Sequence, residues 1–363
     1  MTLQPRLIVE EKEATGASEA PALLAEVTRG SITESRHYGH LLIMDGDGRV
    51  LASDGQPETV TFLRSSAKPQ QVVPLLATGA ATHFNFTDAE IAVACGSHNG
   101  EREHRQAVSS MLKKIGLDES ALHCGTHEPY GKEAVEELKR SGEKPGALHN
   151  NCSGKHAAML ALALYLKAPI ENYEEPSHPV QQLIMRTVAQ FADVPVSEMG
   201  LGIDGCSAPN FAIPVRAMAT MYARLVRPPA SFDDETRAAS ARVVRAMLAH
   251  PEMVEGEGEL DTSLMRACRG RLVSKVGAEG VYTAGVLPCE RFPEGLGLAF
   301  KIEDGDKGDR ARSPVAVEII RRLGLLEDAE AVSKFAHPVI RNHRGDEVGK
   351  MVTAFELKVE SAK

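Results

Sequence analysis

The sequence predicts an α+β fold, in which both ends of the chain build an antiparallel β-sheet and a helical region of about residues 100–260 is inserted between them. Short β-like segments bounded by turn residues occur before residue 52 and after residue 272, whereas segments with helical periodicity fill the middle. No linker separates these regions. We therefore expect one domain over residues 21–363, with helices flanking the sheet, preceded by a flexible polar leader at residues 1–20.

The N-terminal segments carry the clearest strand and turn signals. His40–Met44 and Arg49–Ala52 flank the turn residues Asp45–Gly48, and this arrangement predicts a β-hairpin. Periodic segments follow, the first with proline in its opening turn, where proline is tolerated. The helices predicted from them cover residues 69–79 and 101–115.

The middle of the chain is helical by pattern. Residues 155–167 are almost wholly apolar, which predicts a buried central helix. Amphipathic helices are predicted at residues 178–192, 209–227 and 234–250. Towards the C-terminus the predicted elements are strands at 272–275, 281–286, 298–302 and 351–357 and a helix at 313–324.

Composition restricts the possible partners and the compartment. The chain has 363 residues and a net charge of −9, and it lacks the concentrated positive charge that nucleic-acid binding requires. The longest apolar stretch, residues 157–166, is too short to span a bilayer, and the acidic N-terminus does not resemble a signal peptide. We therefore expect a cytoplasmic protein with reduced cysteines that acts on a small molecule, without nucleic-acid or membrane partners.

Serines paired with lysines point to a hydrolase that cleaves amides. Ser65 and Lys68 stand one helical turn apart, and a lysine that spends time neutral can take the serine proton. Alone this pattern is weak, because a capping serine with a solvated lysine has the same spacing. Ser97-His98-Asn99 and Lys275-Val276-Gly277 follow in the order seen in serine peptidases of the penicillin-binding and β-lactamase type. We expect the two serines and two lysines to converge in one cleft.

Two cysteines precede predicted helices, a position that lowers the pKa of a thiol. They are Cys152 and Cys206. Buried packing, a shared zinc ion and a nucleophilic Cys152–His156 pair all fit this placement, although the separation of the two cysteines matches no zinc-finger spacing. From the residues alone these three interpretations stay open.

Longer blocks around these residues resemble the bacterial L-asparaginase II family of the rhizobial type, and the similarity extends from about Ala25 onward. The blocks are Arg64-Ser-Ser-Ala-Lys-Pro69, Cys95-Gly-Ser-His-Asn-Gly-Glu101, His149-Asn-Asn-Cys-Ser-Gly-Lys-His156, Gly202-Ile-Asp-Gly-Cys-Ser-Ala-Pro209 and Ser274-Lys-Val-Gly-Ala-Glu-Gly280. The blocks around Cys152 and Cys206 are much more specific than a serine and a lysine three residues apart. The polar leader is the chief departure from the family pattern.

The resemblance implies a homodimer with a fold similar to serine β-lactamases, penicillin-binding proteins and glutaminases, which hydrolyses L-asparagine to L-aspartate and ammonia. It implies two tandems, Ser65 with Lys68 and Ser97 with Lys275, of which one serine forms an acyl-enzyme. The implied zinc ligands are Cys152, Lys155 as the free amine, and Cys206. The implied substrate-binding residues are Arg64, Asp204 for the substrate ammonium, and Gly277, whose backbone N–H, or that of Ser65, would hold the oxyanion.

Several alternatives fit the same residues. The protein could be a glutaminase or another β-lactamase-like serine amidohydrolase, a non-catalytic amino-acid-binding protein, or a cysteine hydrolase that uses Cys152. The sequence also does not identify the nucleophile among the serines. Lys68 favours Ser65, while the pair of Ser97 and Lys275 is a fair competitor.

Overall fold

The computed structural model of the protein describes residues 6–7 and 20–355. The strands are β1 (Arg6–Leu7), β2 (Ala22–Arg29), β3 (Ile32–Asp45), β4 (Val50–Asp54), β5 (Val60–Phe62), β6 (Gly200–Ile203), β7 (Pro209–Pro214), β8 (Leu272–Gly277), β9 (Val281–Val286), β10 (Leu296–Ile302), β11 (Val339–Arg341) and β12 (Glu347–Thr353). The α-helices are α1 (Lys68–Ala77), α2 (Ala80–His83), α3 (Asp88–Cys95), α4 (Arg102–Lys114), α5 (Lys132–Ser141), α6 (Ser153–Tyr165), α7 (Pro179–Ala192), α8 (Val215–Val226), α9 (Asp234–Ala249), α10 (Pro251–Val254), α11 (Leu260–Ala267), α12 (Arg312–Arg322) and α13 (Ser333–Ala336).

The predicted α+β class is confirmed, since an antiparallel sheet and a set of α-helices account for most of the described chain. Of the predicted leader, only residues 6, 7 and 20 fall within the described part. The described residues form two compact units. The helical unit comprises residues 6–7, 67–212 and 228–262, and the sheet unit comprises residues 20–66, 213–227 and 263–355.

The sheet unit is built on an eight-stranded antiparallel sheet. Seven strands follow the order β11-β12-β2-β3-β10-β9-β8, and β4 pairs with β3 beside this path. Strands from both ends of the chain therefore share one sheet, as predicted. The predicted hairpin is confirmed: Ile43 pairs with Ala52, and the Asp45 carboxylate accepts the backbone N–H groups of Asp47 and Arg49 inside the turn. Because this aspartate stabilises its own turn by hydrogen bonds, the turn could be predicted from these four residues alone.

Strands β8 and β9 are buried at every residue, so neither face of this part of the sheet is left to solvent. Helix α8 packs against β9 and β10 within the same unit. Glycine permits this close approach, because a Cβ atom at Gly297 would lie 1.9 Å from the carbonyl oxygen of Ala219 on α8. Strand β8, which carries Lys275 and Gly277, pairs in turn with β9.

The predicted helix over residues 209–227 starts too early. Residues 209–214 form strand β7, and α8 begins only at Val215. Pro214 explains the boundary, because a proline pushes the residue before it out of the helical region and suits the start of a helix. The predicted strand at 351–357 overlaps β12, and its residues from 356 onward lie outside the described part.

The helical unit surrounds α6, whose residues 153–163 are all buried. This confirms the predicted central helix. It contacts α1, α3, α4 and α7, and Gly154 brings it close to α3, since a Cβ atom there would lie 2.5 Å from the Val93 carbonyl oxygen. Among the described residues, no helix is both long enough and apolar enough to cross a membrane.

Candidate active site

Lys68 opens helix α1 and lies almost wholly inside the helical unit, with 1% of its surface exposed. Its Nζ donates to the carbonyl oxygen of Gly96 at 2.6 Å, to Ser97 Oγ at 3.0 Å and to the carbonyl oxygen of Asn151 at 3.1 Å. The lysine therefore joins three separate segments of the chain. Its position beside a partly exposed serine is the arrangement that nucleophile activation requires.

The turn that carries Ser97 is held by its backbone. Helix α3 ends at Cys95, and the Ser97 N–H donates to the carbonyl oxygen of Val254 at 2.7 Å. A Cβ atom at Gly96 would lie 2.7 Å from the carbonyl oxygens of both Met253 and Val254. Glycine is therefore needed at this position for the turn to pass so close to α10.

His98 supports the turn and does not serve as a base in this arrangement. The Gly100 N–H donates to its Nδ1 at 3.1 Å, so Nε2 carries the proton and donates to Ser153 Oγ at 2.9 Å. Burial lowers the pKa of His98 well below its usual range, and the basic groups of His104 and Lys68 act in the same direction whenever they are protonated. The imidazole is thus neutral, and its one lone pair is already used.

Asn151, to which the sequence assigned no role, supplies one of the carbonyl groups that hold Lys68. Its own N–H donates to His127 Nε2 at 3.1 Å. The neighbouring Asn150 side chain donates to the Cys124 carbonyl oxygen and accepts the Cys152 N–H, each at 2.8 Å. A backbone acceptor of this kind leaves no sequence signal beyond its membership in the block that ends at His156.

Cys152, Lys155 and Cys206 meet in the interior of the helical unit. Lys155 Nζ donates to Cys206 Sγ at 3.1 Å, and the Cys152 thiol donates a hydrogen bond to the same sulfur. This thiol hydrogen bond lowers the pKa of Cys206 against the effect of burial, and together with burial it raises the pKa of Cys152. Two sulfurs and one amine thus share a buried position, with His156 beside Cys206.

Asp204 lies in the turn between β6 and β7, two residues before Cys206. Its carboxylate accepts the Gly205 N–H at 2.8 Å. Burial alone would lower the pKa of Lys155, but the negative charges of Cys206, Cys152 and Asp204 raise it on balance. Asp204 is therefore close enough to this cluster to act on its charge.

The other predicted site residues lie in the sheet unit. Arg64 and Ser65 belong to the 3-10 turn Arg64–Ala67, in which Arg64 has a positive φ of 51°. Lys275 is fully buried in β8, where its Nζ donates to the Val276 carbonyl oxygen at 3.1 Å. At the end of β8, a Cβ atom at Gly277 would lie 2.9 Å from the Leu63 carbonyl oxygen, so the segment before Ser65 passes directly beside this glycine.

The contact between Lys68 and Ser97 is not among the predicted pairs, which joined Lys68 to Ser65 and Ser97 to Lys275. Those two pairs stay predictions. By contrast, the structure brings the three residues implied as zinc ligands into one cluster. Lys68 and Ser97 are separated by 29 residues, and no local pattern links them.

The solved structures that resemble the chain are distant. A probable glutaminase from Bacillus subtilis, complexed with 6-diazo-5-oxo-L-norleucine, has 14% identity and a TM-score of 0.39, over 80% of this chain and 86% of that one. A Bacillus glutaminase in 4.3 M NaCl has 14% identity and a TM-score of 0.37, over 80% and 92%. A β-lactamase from Burkholderia ambifaria has 14% identity and a TM-score of 0.35, over 74% and 87%. Likeness at this level assigns no function.

No curated protein matches the chain. The family assignment therefore rests on a different comparison. The family model described as L-asparaginase II matches residues 25–353, which includes every predicted site residue and nearly the whole described chain. This match confirms the resemblance found in the sequence blocks. The chain belongs to the L-asparaginase II family of amidohydrolases.

Proposed function

We propose that the protein hydrolyses L-asparagine to L-aspartate and ammonia through a serine activated by lysine. Family membership supports the amide substrate, and one structural observation carries the mechanism: the contact of 3.0 Å between Lys68 Nζ and Ser97 Oγ. We take Ser97 as the nucleophile on this ground. Ser65, which the sequence favours through its spacing to Lys68, is the alternative.

The surroundings of Lys68 suit a base. A neutral amine has two N–H groups and one lone pair, and the carbonyl groups of Gly96 and Asn151 accept the two N–H groups. The lone pair is then left for the third neighbour, the Ser97 hydroxyl. In this state Lys68 can take the serine proton as the oxygen attacks the substrate.

The proposed reaction has two halves. Ser97 Oγ bonds to the carboxamide carbon while its proton passes to Lys68, and the tetrahedral intermediate expels ammonia, which takes that proton. The resulting ester is the acyl-enzyme. Water then attacks the ester carbon and gives its proton to Lys68, and the proton returns to Ser97 as L-aspartate leaves. Family membership also supports catalytic roles for Ser65 and Lys275 and substrate-binding roles for Arg64, Asp204 and Gly277.

The substrate is tested by ammonia release from L-asparagine and from L-glutamine with the purified protein. We expect kcat/KM to be at least about 10-fold higher for asparagine, because one additional methylene group misplaces the amide relative to the nucleophile. Equal or faster hydrolysis of glutamine would make the protein a glutaminase. Binding of asparagine without ammonia release would instead support an amino-acid-binding protein.

We also propose that Cys152, Lys155 and Cys206 bind zinc. The donor set fits, because zinc favours sulfur and nitrogen ligands in tetrahedral geometry, and these two sulfurs and an amine are buried together; binding would displace the proton of Lys155. When bound, the ion would supply a positive charge that helps to orient the substrate. The residues themselves link the start of α6 to the turn between β6 and β7.

Replacing either cysteine should remove the metal. We expect Cys152→Ala and Cys206→Ala each to bind less than about a tenth of the zinc held by the unmodified protein, because two thiolates provide most of the affinity. Zinc per chain is measured by elemental mass spectrometry after dialysis. Cys268→Ala, which removes a buried cysteine of the sheet unit, is the matched control and should keep its zinc. Full zinc content in both site variants would contradict the assignment.

A further inference from the structure

His104 is a buried histidine of the helical unit that the proposed reaction does not use. It lies in the first turn of α4 and is 2% exposed. Its Nε2 lies 2.8 Å from the carbonyl oxygen of Glu252, and because a carbonyl only accepts, Nε2 carries the proton. Nδ1 then holds a lone pair, and no described residue hydrogen-bonds to it. Burial lowers the pKa of His104, which keeps the ring neutral near pH 7.

The carboxylate of Glu101 lies beside this lone pair. Glu101 Oε2 is 4.0 Å from His104 Nδ1, which is too far for a hydrogen bond. Glu101 occupies the N-cap position of α4, but its side chain does not cap the helix, and no described residue donates a hydrogen bond to it. Two potential ligand atoms, each with lone pairs, thus lie close together without a donor between them.

Other carboxylates add negative charge at this place. Burial raises the pKa of Glu101, and the charges of neighbouring glutamates raise it further. Those glutamates are Glu103, Glu133, Glu259 and Glu257. Asn99, at the end of the Ser97 turn, donates to Glu259 Oε1 at 3.2 Å and so ties the loop between α10 and α11 to the same region. A bound cation would relieve this repulsion.

We propose that Glu101 and His104 are the protein ligands of a divalent transition-metal cation, at a site separate from the cysteine cluster. Two ligand atoms on opposite sides of one ion, with metal–nitrogen and metal–oxygen bonds of about 2.0–2.2 Å, lie up to roughly 4.2 Å apart, so the observed 4.0 Å is within the reach of a single ion. A histidine ligand commonly donates its other ring N–H to a backbone carbonyl, as His104 does to Glu252. Water completes the coordination.

The ligand types indicate which cation to use as a probe. One imidazole and carboxylates, without sulfur, suit Mn²⁺, which has a low affinity for the thiolates of the cysteine cluster. Bound there, the cation links the N-cap side chain of α4 to the first turn of the same helix. We therefore expect Mn²⁺ to stabilise the folded protein.

Mn²⁺ titration of the purified full-length protein, followed by electron paramagnetic resonance, tests the site. We expect one saturable site whose affinity falls at least about 10-fold in Glu101→Gln and in His104→Gln, because each variant removes one ligand. The His104→Gln amide can still donate to Glu252. Glu103→Gln is the matched control, with the same change of charge on the same helical turn, and should bind Mn²⁺ within about 2-fold of the unmodified protein. The melting temperature should rise with Mn²⁺ only where the site is intact.

Three results would overturn the proposal. The first is an unmodified protein that binds no Mn²⁺ at a saturable site. The second is equal weakening by Glu103→Gln and Glu101→Gln, which would indicate attraction to the general negative charge. Because the variants could fold poorly, the unmodified protein supplies an independent readout. Bound Mn²⁺ should broaden the NMR signals of His104 and of His98, whose ring stacks on it at 5.0 Å, and unbroadened signals would also exclude the site.

Discussion

Replacement of Ser97 by alanine is expected to lower kcat for L-asparagine hydrolysis by at least about 10³-fold in a protein that stays folded. The change removes the oxygen that receives the acyl group, and it leaves the backbone hydrogen bond from Ser97 to Val254 in place. Ammonia release at saturating asparagine measures the effect. The melting temperature shows whether the fold is kept.

Two further serine variants make this result interpretable. Ser109→Ala removes an exposed hydroxyl from α4 and should leave kcat unchanged. Ser65→Ala is expected to lose most of its activity as well, because the family resemblance implies a catalytic role for Ser65. A Ser97→Ala protein with normal kcat would make Ser65 the better nucleophile, and full activity in both would reject a serine mechanism altogether.

Replacement of Lys68 by alanine is expected to lower kcat by at least about 10²-fold, which is the usual contribution of a general base. It also leaves the carbonyl oxygens of Gly96 and Asn151 without their donor, so we expect a loss of stability on the order of 1–3 kcal/mol. Activity is measured below the lowered melting temperature. Because the change removes a base and also destabilises the fold, the loss of catalysis has to be separated from the loss of stability.

Small primary amines separate the catalytic role of Lys68 from its structural role. The variant leaves a space where the amine stood, and added methylamine should restore part of kcat if a base is what is missing. Lys114→Ala is the matched control. Lys114 also donates to a backbone carbonyl and a side chain, but it is the last residue of α4 and has no proposed role in catalysis. Its activity should be normal and indifferent to amines. A folded Lys68→Ala protein with more than about half of the normal kcat would exclude Lys68 as the base.

Local sequence patterns correctly predicted the turns and helices that are determined by their own residues. The Asp45–Gly48 turn contains the carboxylate that closes it, and α6 is apolar on every side after His156. The start of α8 was predicted six residues too early, because helical periodicity continues through residues that pair as strand β7. Helix α5 lies in a segment for which no element was predicted, although its polar face and its boundary glycines resemble those of the other helices.

For the candidate site, too, short sequence blocks predicted some features and tertiary packing decided others. The sequence blocks predicted the residue set and the family, and the family match confirms the latter. The sequence did not predict that Lys68 contacts Ser97, because this contact depends on where α1 packs relative to the end of α3. The free Nδ1 of His104 had no sequence signal at all, since it results from a backbone carbonyl 148 residues away.

By itself, the sequence determined the α+β class, the hairpin, the central helix and the family, because each is encoded in residues that are neighbours in the chain or in short blocks. The tertiary structure decided which amine meets which hydroxyl and which sulfur meets Lys155, across separations of 29 and 51 residues. Such contacts are set by the packing of whole helices, and packing depends on all the surfaces in contact and not on any one segment.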